Sequence, residues 1–405
     1  MALVVQKYGG SSVATPELIR KVAARVVARH RAGDQMVVVI SAMGDTTDDL
    51  VTLAGRVSPK PVDREMDMLL ASGERISMAL LAMAIQDLGP RAVSMTGAQS
   101  GIITDAVHRN ARVVALRPER VLAELGRGAI VVVAGFQGVT ADGEETTLGR
   151  GGSNLTAVAL AHALNADVCE MNTDVDGIFT ADPRLVPEAR QLAFVSPDEM
   201  LELASSGARV LQSRSVEFAR NYGVVICVRS SFNQNPGTLI KETADMEKVV
   251  VRGIAHDVSD AKVTVRHVAD RPGIAARLFG ALAERNVNVD IILQNTSEAG
   301  AVDVSFTVKE GDLGKALETC QAIRQEIGAT EVLADSEVAK VAVVGIGMRS
   351  HPGVAATAFA ALADAGVNIE MISTSEIKIA CVVRRADVER AVRALHQAFH
   401  LDQAT

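Results

Sequence analysis

A chain of 405 residues, 48% hydrophobic and 22% charged, is long enough for two or three domains and too apolar to be disordered. Its net charge of −8 excludes a broad surface for nucleic acid or anionic membranes, so any phosphate chemistry must depend on local cations. Four widely spaced cysteines without a CxxC pair exclude a disulfide framework and a cysteine zinc site, and they fit a reducing compartment. Because the sequence contains neither a signal-peptide pattern nor a run of about 18 apolar residues, we expect a cytoplasmic protein that contacts no membrane.

The first half of the chain alternates between short apolar strands and helical segments. An apolar strand over residues 2–8 precedes a helix that begins at Pro16. Residues 63–88 are predicted to form two helices that break at Gly73. Further strands are predicted at MVVVISA, RAVSMTG, AIVVVAGF, DVCEMN and VVICVRS. This alternation predicts a mostly parallel α/β sheet, covered by helices, over residues 1–242.

A glycine-rich stretch, TLGRGGSN, leads into the apolar segment AVALAHAL. Its glycines permit a close approach of the backbone to a ligand, and Arg150 adds a fork-shaped cation. Ser153 or Asn154 is predicted to cap the helix that follows, whose N-terminal amides would then face an anion. An ordinary glycine turn with a solvated arginine is the alternative interpretation.

A second glycine-rich stretch, KYGGSS, ends the first strand and opens the first helix. Lys7 is predicted to lie at the carboxyl end of its strand, where open α/β sheets bind ligands, and an ammonium group suits phosphate oxygens. A lysine that merely flanks a tight turn is the alternative. The chain contains no Walker A loop, and the GxGxxG pattern fails because its last position is Asn154.

A third stretch, NTDVDGIFTADPR, overlaps the end of the predicted strand DVCEMN. It imitates the start of a calcium-binding loop, but the acidic residue required at the twelfth position would be Pro183. We therefore reject calcium binding and identify no metal ligands in the chain. Plain turns at Asp176-Gly177 and Asp182-Pro183 are the alternative interpretation of this stretch.

Beyond Pro236-Gly237 the α/β pattern ends and the remaining chain repeats itself. Residues 272–292 and 352–372 are identical at 11 of 21 positions. Each copy reads as a strand, a Pro-Gly turn, a helix, a Val-Asn turn, a strand and a hairpin. A duplication of domain length is therefore predicted, in contrast to the short periods of solenoids.

In this order and spacing, KYGGSS, SAMGDTTDDL, SGERIS, TLGRGGSN and TDVDGIFTADPR resemble the amino-acid kinase family, in its branch that phosphorylates the side-chain carboxylate of aspartate. The repeated segments resemble paired ACT domains, which are ferredoxin-like α+β modules that bind amino acids between neighbouring copies. The resemblance implies an α/β fold with a catalytic amino-acid kinase domain at 1–242 and a linker at 243–248. It also implies a first ACT domain at 262–335, inserted into a second that consists of 249–258 and 339–400.

The resemblance also implies roles for individual residues. The implied catalytic residues are Lys7, Arg150 and Asn154. The implied ATP contacts are Lys7, Tyr8, Gly9, Gly10, Ser41, Thr173, Asp174, Phe179, Asp182 and Arg184. The implied aspartate contacts are Thr47, Glu74, Arg150, Gly151, Gly152, Ser153 and Asn154. The implied effector contacts are Asp270, Gly273, Ile274, Ala275, Gln294, Val354, Ala355, Asn368, Ile369, Ser375 and Glu376.

Three positions depart from the family pattern. Family members generally carry aspartate at the position of Asn154, usually carry tyrosine at Phe179 and in several cases carry threonine at Ala355. Asparagine keeps the shape of aspartate but loses its charge, and a lost charge-assisted hydrogen bond costs about 1.5–3 kcal/mol. The sequence therefore predicts slow turnover, by roughly tenfold to a hundredfold.

The implied reaction converts ATP and L-aspartate, with Mg²⁺, to ADP and 4-phospho-L-aspartate, the first step of lysine, threonine and methionine biosynthesis. Lysine, threonine or both are the implied inhibitors, bound by the ACT domains. The implied assembly is a homo-oligomer, or two long and two short subunits if Met246 starts a second product, and no nucleic acid partner is expected. An amino-acid sensor with a weakened kinase site, or another amino-acid kinase, are the alternatives.

Overall fold

A computed structural model of the chain describes residues 1–208, 210–242, 250–296, 301–349, 351 and 353–403. The described residues divide into two compact units. The first contains residues 1–178, 191–204 and 210–242, and the second contains 179–190, 205–208 and the described residues from 250 onward. The predicted linker at 243–248, with Met246, lies outside the described residues.

The elements along residues 1–242 alternate between strand and helix for most of their length. In chain order they are β1 (Leu3–Tyr8), α1 (Pro16–Arg31), β2 (Gln35–Ile40), α2 (Thr46–Val57), α3 (Asp63–Asp87), β3 (Ala92–Met95), β4 (Ile102–Thr104), β5 (Val113–Leu116), α4 (Glu119–Gly126), β6 (Ile130–Ala134), β7 (Gln137–Val139), β8 (Glu145–Thr147), α5 (Gly152–Ala163), β9 (Val168–Thr173), β10 (Phe194–Val195), α6 (Pro197–Ser205), α7 (Ser213–Tyr222), β11 (Ile226–Ser230) and β12 (Thr238–Ile240).

Eight of these strands form one sheet in the order β10-β12-β11-β9-β1-β2-β6-β3. Strand β1 lies between β2 and β9 and is parallel to both, and only the β11–β12 pair is antiparallel among the described strands of this sheet. All five residues of β6 and five of the six residues of β2 are buried, as expected for strands that helices cover on both faces. The predicted mostly parallel α/β sheet is confirmed.

A second, smaller sheet in this unit has the strand order β5-β4-β7-β8. Its strands are only three or four residues long, which is too short for an alternating pattern to identify them in the sequence. Strand β8 leads directly into the glycine-rich stretch that begins at Leu148, so this sheet fixes where that stretch starts.

Helix α1 follows the predicted capping pattern. The side chain of Thr15 accepts a hydrogen bond from the Leu18 amide, and Pro16 takes the first helical position, where its missing N–H costs nothing. The chain leaves the helix at Gly33, whose φ of 107° lies in the left-handed region.

The predicted break at Gly73 is wrong, because α3 is one continuous helix of 25 residues. A Cβ atom at Gly73 would lie 2.9 Å from the Cβ atom of Ala42, so glycine is required there for a close approach of two segments. A helix tolerates a single glycine at a cost of about 1 kcal/mol, which packing of the buried face easily offsets.

Helix α3 is also long and apolar enough, by length and composition alone, to cross a membrane. It contacts α1, β3 and β6, however, and buries Leu70, Leu81 and Ile85. It is therefore a core helix of this unit.

The C-terminal elements form two similar four-stranded sheets with helices packed on them. In chain order they are β13 (Gly253–Asp257), β14 (Asp260–Ala269), α8 (Ile274–Glu284), β15 (Val289–Thr296), β16 (Ala301–Lys309), α9 (Leu313–Ile323), β17 (Glu331–Asp335), β18 (Val338–Val344), α10 (Val354–Asp364), β19 (Ile369–Thr374), β20 (Lys378–Arg384) and α11 (Val388–Ala398).

The two sheets have equivalent strand orders, β15-β16-β14-β17 and β19-β20-β18-β13. Strand β13 pairs antiparallel with β18, although the whole first copy lies between them in the chain. This pairing is the one that an insertion of the first ACT domain into the second requires.

Residues 179–190 belong to the C-terminal unit, whereas the sequence had placed them in the kinase domain. The Ile254 amide donates to the Thr180 carbonyl at 2.7 Å, and the Thr180 hydroxyl lies 2.9 Å from Nε2 of His396. Ala181 and Val186 join the apolar core of the second ACT copy. Local sequence contains no signal for such long-range contacts.

Candidate active site

The carboxyl ends of three neighbouring parallel strands bring predicted site residues to one edge of the large sheet. Lys7 is the penultimate residue of β1, Ser41 directly follows β2, and Thr173 is the last residue of β9. The Ser41 amide donates to the Tyr8 carbonyl at 3.1 Å, which continues the β1–β2 pairing beyond the strands. Ligands of open α/β sheets bind at this edge.

The Lys7 side chain turns back over the loop that follows its strand. A Cβ atom at Gly9 would lie 3.3 Å from the Lys7 ammonium nitrogen. Desolvation by the surrounding protein lowers the pKa of Lys7 to about 8, although the negative charge of Asp174 acts in the opposite direction. An ammonium group that has lost most of its water is poised to bind phosphate oxygens.

The loop after β1 lies directly against the loop after β2. A Cβ atom at Gly10 would lie 2.9 Å from the carbonyl oxygens of both Ala42 and Gly44, and the Gly44 amide donates to the Gly10 carbonyl at 3.1 Å. Only glycine fits between these carbonyls. The two predicted loops, KYGGSS and SAMGDTTDDL, therefore form one continuous surface beside Lys7.

Glu74 contributes a buried carboxylate from α3. The Ala42 amide donates to this carboxylate, but among the described residues Oε2 has no hydrogen-bond partner. Burial raises the pKa of Glu74 to about 7, and the amide bonds only partly offset that effect. A buried carboxylate oxygen without a partner fits the ammonium group of an amino acid. Thr47 lies in the first turn of α2, which packs on α3.

The glycine-rich stretch 148–154 begins helix α5 in a way that the sequence had not predicted. Gly151 occupies the N-cap position in a left-handed conformation with φ of 72°, and no side chain caps the helix. Ser153 and Asn154 lie inside its first turn, where the Asn154 amide donates to the Gly151 carbonyl at 2.9 Å. The predicted Ser153 or Asn154 cap is therefore wrong, because the helix starts earlier.

The stretch nevertheless offers the features of an anion site. The N-terminus of α5 exposes main-chain amides at the positive end of the helix dipole. Arg150 is exposed, and no described residue forms an ion pair with it. Ser153 lies at the sheet edge, since a Cβ atom at Gly135, which directly follows β6, would be 2.7 Å from the Ser153 Cβ atom.

Tyr8 has no exposed side-chain surface. Its hydroxyl donates to Gln6 at 3.2 Å within the core, and burial raises its pKa far above the ordinary value. An ATP contact from Tyr8 would therefore come from its main chain.

The predicted nucleotide residues are divided between the two units. Thr173 and Asp174 belong to the first unit, where the Thr173 hydroxyl donates to Asp174 at 3.0 Å. Phe179, Asp182 and Arg184 belong to the second, where Arg184 pairs with Asp182 at 2.7 Å.

A loop that the sequence analysis missed supports the nucleotide segment. Asp176 accepts hydrogen bonds from Asn233 at 2.6 Å and from Asn235 at 3.0 Å. The Ser231 amide donates to the Thr173 carbonyl at 2.8 Å. The run SSFNQNPG reads as an ordinary turn, and only its position beside β9 indicates this role.

Two pairs of predicted effector residues occupy equivalent places in the two ACT copies, Ile274 with Val354 and Ala275 with Ala355 at the starts of α8 and α10. Gly273 and Gly353 are both left-handed N-cap residues, with φ of 94° and 105°, at the starts of α8 and α10. Asp270 directly follows β14 and precedes the Gly273 cap. The remaining predicted effector residues follow the two caps or lie in or next to strands β15 and β19, namely Ile274, Ala275, Gln294, Val354, Ala355, Asn368, Ile369, Ser375 and Glu376. Strands β15 and β19 contact each other, so the predicted effector residues of one ACT copy lie near those of the other copy.

Comparisons with known proteins agree with this architecture. Residues 2–230 match the amino acid kinase family, and residues 263–325 and 341–399 each match an ACT domain. An aspartokinase from Mycolicibacterium smegmatis is 56% identical over 407 aligned residues, which cover 99% of this chain and 97% of the relative.

Two solved structures of E. coli aspartokinase III are also similar over 98% of this chain and 99% of theirs. The complex with aspartate and ADP, in the R-state, has 26% sequence identity and a TM-score of 0.83. The complex with lysine and aspartate, in the T-state, has 27% identity and a TM-score of 0.77.

A parallel sheet with a lysine and two glycine loops at its carboxyl edge, followed by paired ACT domains, defines a regulated amino acid kinase. Within that class the chain belongs to the aspartokinases, and it is an aspartate kinase with regulatory ACT domains. The match along the full chain favours this enzyme over an inactive sensor and over other amino acid kinases.

Proposed function

We propose that the chain transfers the γ-phosphoryl group of ATP to the side-chain carboxylate of L-aspartate at the sheet edge formed by β1, β2 and β9. A carboxylate oxygen of aspartate attacks the γ-phosphorus, the bond to the β,γ-bridging oxygen breaks, and ADP leaves with that oxygen. The desolvated ammonium of Lys7 carries the proposal, because phosphoryl transfer requires positioned cations more than covalent help. The test is release of ADP from ATP and Mg²⁺ with aspartate, compared with glutamate.

The site residues form two sets, one that binds ATP and one that binds the aspartate acceptor. Lys7 and the amides of Gly9 and Gly10 hold phosphates, with Ser41, Thr173 and Asp174 beside them. The carboxylate of Glu74 binds the ammonium group of aspartate, since its free oxygen lacks a partner. Arg150 and the amides at the start of α5 bind carboxylate oxygens of the acceptor. Thr47 completes the acceptor side.

We further propose that Mg²⁺ enters with ATP. Within the described ranges, no group of three or more His, Cys, Asp and Glu side chains could hold a metal ion. Magnesium usually binds through substrate phosphates and one or two carboxylates, which Asp174 could supply. The ion would neutralise charge on the phosphates.

We expect a bell-shaped pH dependence of the rate when ATP and aspartate are both far below their KM values, because this condition reports the ionisation of the free enzyme. Glu74 must be ionised to bind the substrate ammonium, so activity rises with pH through about 7. Lys7 must be protonated to bind phosphate, so activity falls as pH rises through about 8. In Glu74→Gln the acidic limb should disappear while the alkaline limb remains. A flat profile between pH 6 and 9 would contradict both assignments.

We propose that lysine, threonine or both inhibit through the ACT pair. The solved complex of E. coli aspartokinase III with lysine and aspartate supports this choice for lysine. Calorimetry on the full chain should detect binding of at least one of the two amino acids, and Gln294→Ala on β15 should weaken it about tenfold. Gln325→Ala, an exposed glutamine of the same ACT copy, is the matched control. Equal binding by both variants would contradict the assignment of Gln294.

A cytoplasmic homo-oligomer remains our proposal for the assembly. Met246 would give two long and two short subunits if translation also starts there. Native expression of Met246→Leu should then yield only the long product. An unchanged pair of products would refute the internal start.

A further inference from the structure

Asp67 is a fully buried carboxylate that lies outside every assigned role. It projects from α3 and accepts the Thr147 hydroxyl at 2.6 Å and the Arg109 amide at 3.1 Å. Nδ1 of His108 lies 2.8 Å from its second oxygen. Both oxygens are therefore satisfied.

A buried charge of this kind is expensive. Removing a carboxylate from water costs several kcal/mol, and well-packed apolar groups often stabilise a fold equally well. One of its hydrogen-bond donors, the Arg109 amide, belongs to a strained segment. Arg109 has φ of 64°, a conformation that non-glycine residues rarely adopt. Asp67 thus holds a chain conformation that would otherwise relax.

The strained segment lies against the glycine-rich stretch. A Cβ atom at Gly149 would be 3.0 Å from the Arg109 carbonyl oxygen and 2.9 Å from Oδ1 of Asn110. Thr147, which also donates to Asp67, precedes Gly149 by two residues. Asp67 therefore reaches the same stretch by two routes, through β8 and through residues 109–110.

Arg214 of α7 holds the stretch from another direction. Its guanidinium donates to the Leu148 carbonyl at 2.9 Å, to Oδ1 of Asn110 at 3.2 Å and to the Ala111 carbonyl at 2.6 Å. Planar guanidinium groups fix such carbonyls in a geometry that a lysine ammonium cannot reproduce. The glycine-rich stretch, which leads into α5, is thus held by Asp67 on one side and by Arg214 on the other.

We infer that Asp67 and Arg214 are positioning residues that place Arg150 and the start of α5 for the aspartate acceptor. This inference rests on the proposed acceptor role of stretch 148–154. None of the contacts that Asp67 and Arg214 make with this stretch involves Lys7. Loss of either clamp should therefore affect aspartate more than ATP.

Steady-state kinetics of Asp67→Asn test the inference. The amide keeps the size but has one acceptor oxygen, so KM for aspartate should rise at least tenfold while KM for ATP changes less than twofold. Glu199→Gln is the matched control, because Glu199 is also fully buried and accepts the Ser196 amide and hydroxyl, at 3.1 and 3.0 Å. Glu199→Gln should lower Tm, but it should not raise KM for aspartate relative to KM for ATP.

If Asp67→Asn does not fold, Arg214→Lys provides the same readout from the opposite side. An unchanged KM for aspartate, or equal changes for both substrates, would overturn the positioning role. Wild-type enzyme that does not phosphorylate aspartate would instead refute the proposed function.

The two ACT copies are joined by ion pairs, in each of which one residue comes from each copy; these are called the exchanged ion pairs. Four charged residues of each copy occupy the same places in equivalent strands. Lys262 and Lys340 are third in β14 and β18, and Asp290 and Glu370 are second in β15 and β19. Lys309 and Arg384 end β16 and β20, and Asp335 and Asp257 end β17 and β13.

Every one of these residues pairs with the opposite copy. Lys262 pairs with Glu370, and Lys340 pairs with Asp290. Lys309 lies 2.6 Å from Asp257, and Arg384 lies 2.7 Å from Asp335. The pattern has approximate two-fold symmetry within a single chain.

Each exchanged pair contains at least one side chain that is no more than 25% exposed, whereas Lys309, Arg384 and Asp290 are 42–49% exposed. The Lys340 side chain is 2% exposed and that of Glu370 is 10% exposed. Burial would raise the pKa of Asp257, but Lys309 and Ser259 outweigh it and hold the pKa at about 2. Removing one partner of a partly buried ion pair therefore costs more folding free energy than removing one partner of a surface pair.

The acidic partners also lie beside the predicted effector contacts. Glu370 directly follows Asn368 and Ile369 at the start of β19, and Asp290 takes the equivalent place in β15. A ligand that orders one Val-Asn turn would therefore reach the lysine of the other copy through the adjoining ion pair. We propose that the exchanged ion pairs make both ACT copies respond as one, which rests on the proposed effector role of these turns.

A double-mutant cycle on Lys262 and Glu370 tests this coupling. With lysine and threonine as the added inhibitors, Lys262→Met and Glu370→Gln should each raise the half-inhibitory concentration at least fivefold, and the double variant should raise it no further than either single variant. Basal kcat should stay within twofold. Lys315→Met, which breaks an exposed pair with Asp312 inside one copy, is the matched control.

Hydrogen exchange gives a readout that needs no effector. Lys262→Met should speed amide exchange in both β15 and β19, whereas Lys315→Met should not. Exchange confined to one copy, or additive effects in the cycle, would overturn the coupling. Absence of inhibition in the wild type would refute only the proposed effectors.

Discussion

Replacement of Lys7 by alanine should lower kcat by about a thousandfold or more. Lys7 is the only described lysine at the carboxyl edge of β1, and single preorganised cations in phosphoryl transfer contribute factors of 10³–10⁵. The fold should survive, because desolvation already disfavours the charged ammonium in the folded state, as its pKa of about 8 indicates. Coupled ADP release and Tm measure the two effects.

Lys21→Ala is the control for this experiment, because Lys21 is an exposed lysine of α1. It should leave both kcat and Tm unchanged. Lys7→Ala should be at least as stable as the wild type below pH 8, where the lowered pKa of Lys7 destabilises the folded wild type in full. This difference should shrink as the pH rises from about 8 towards the ordinary lysine pKa, since the unfolded chain binds the proton more tightly than the folded one. Full activity in Lys7→Ala would remove the catalytic assignment.

Asn154→Asp should raise kcat by roughly tenfold to a hundredfold, the equivalent of about 1.4–2.7 kcal/mol. Asn154 lies in the first turn of α5, next to the amides and Arg150 that we assign to the acceptor. A carboxylate there would balance these positive groups and orient them by charge-assisted hydrogen bonds. It should also improve stability slightly, because anions are favoured at a helix N-terminus by about 0.3–1 kcal/mol.

Asn286→Asp adds the same charge at an exposed turn of the first ACT copy and should change neither kcat nor Tm much. If Asn154→Asp is no faster than the wild type, asparagine is a tolerated replacement and the predicted slow turnover is wrong. A rise in KM for ATP without a rise in kcat would place Asn154 on the nucleotide side.

Motifs that depend on neighbouring residues could be read from the sequence. The capped start of α1 at Thr15 and Pro16 follows from local hydrogen bonding and a fixed φ angle. The apolar runs of β2 and β6 indicate strands buried on both faces, and the internal repeat indicates two similar domains. Parallel strands also share an edge, so Lys7 and Thr173 could be expected to meet.

Features that depend on distant residues could not be read in this way. Gly73 resembles a helix break until Ala42 is seen 2.9 Å from its missing Cβ atom. The side chain of Tyr8 resembles a ligand contact until its buried hydroxyl is seen to donate to Gln6, which leaves only the main chain of Tyr8 for the predicted ATP contact. The orphan oxygen of Glu74, and hence its raised pKa, exists only because the fold removes water from it.

The sequence by itself therefore determined the class of fold, the order of the glycine loops, the duplication and the family of enzyme, because periodicity, capping and motif spacing are local properties. Only the tertiary structure decided that α5 begins at Gly152 with Gly151 as its N-cap residue, and that residues 179–190 join the C-terminal unit. It also decided that Asp67 supports the glycine-rich stretch. These outcomes follow from long-range packing and from the cost of burying charge, which no window of neighbouring residues contains.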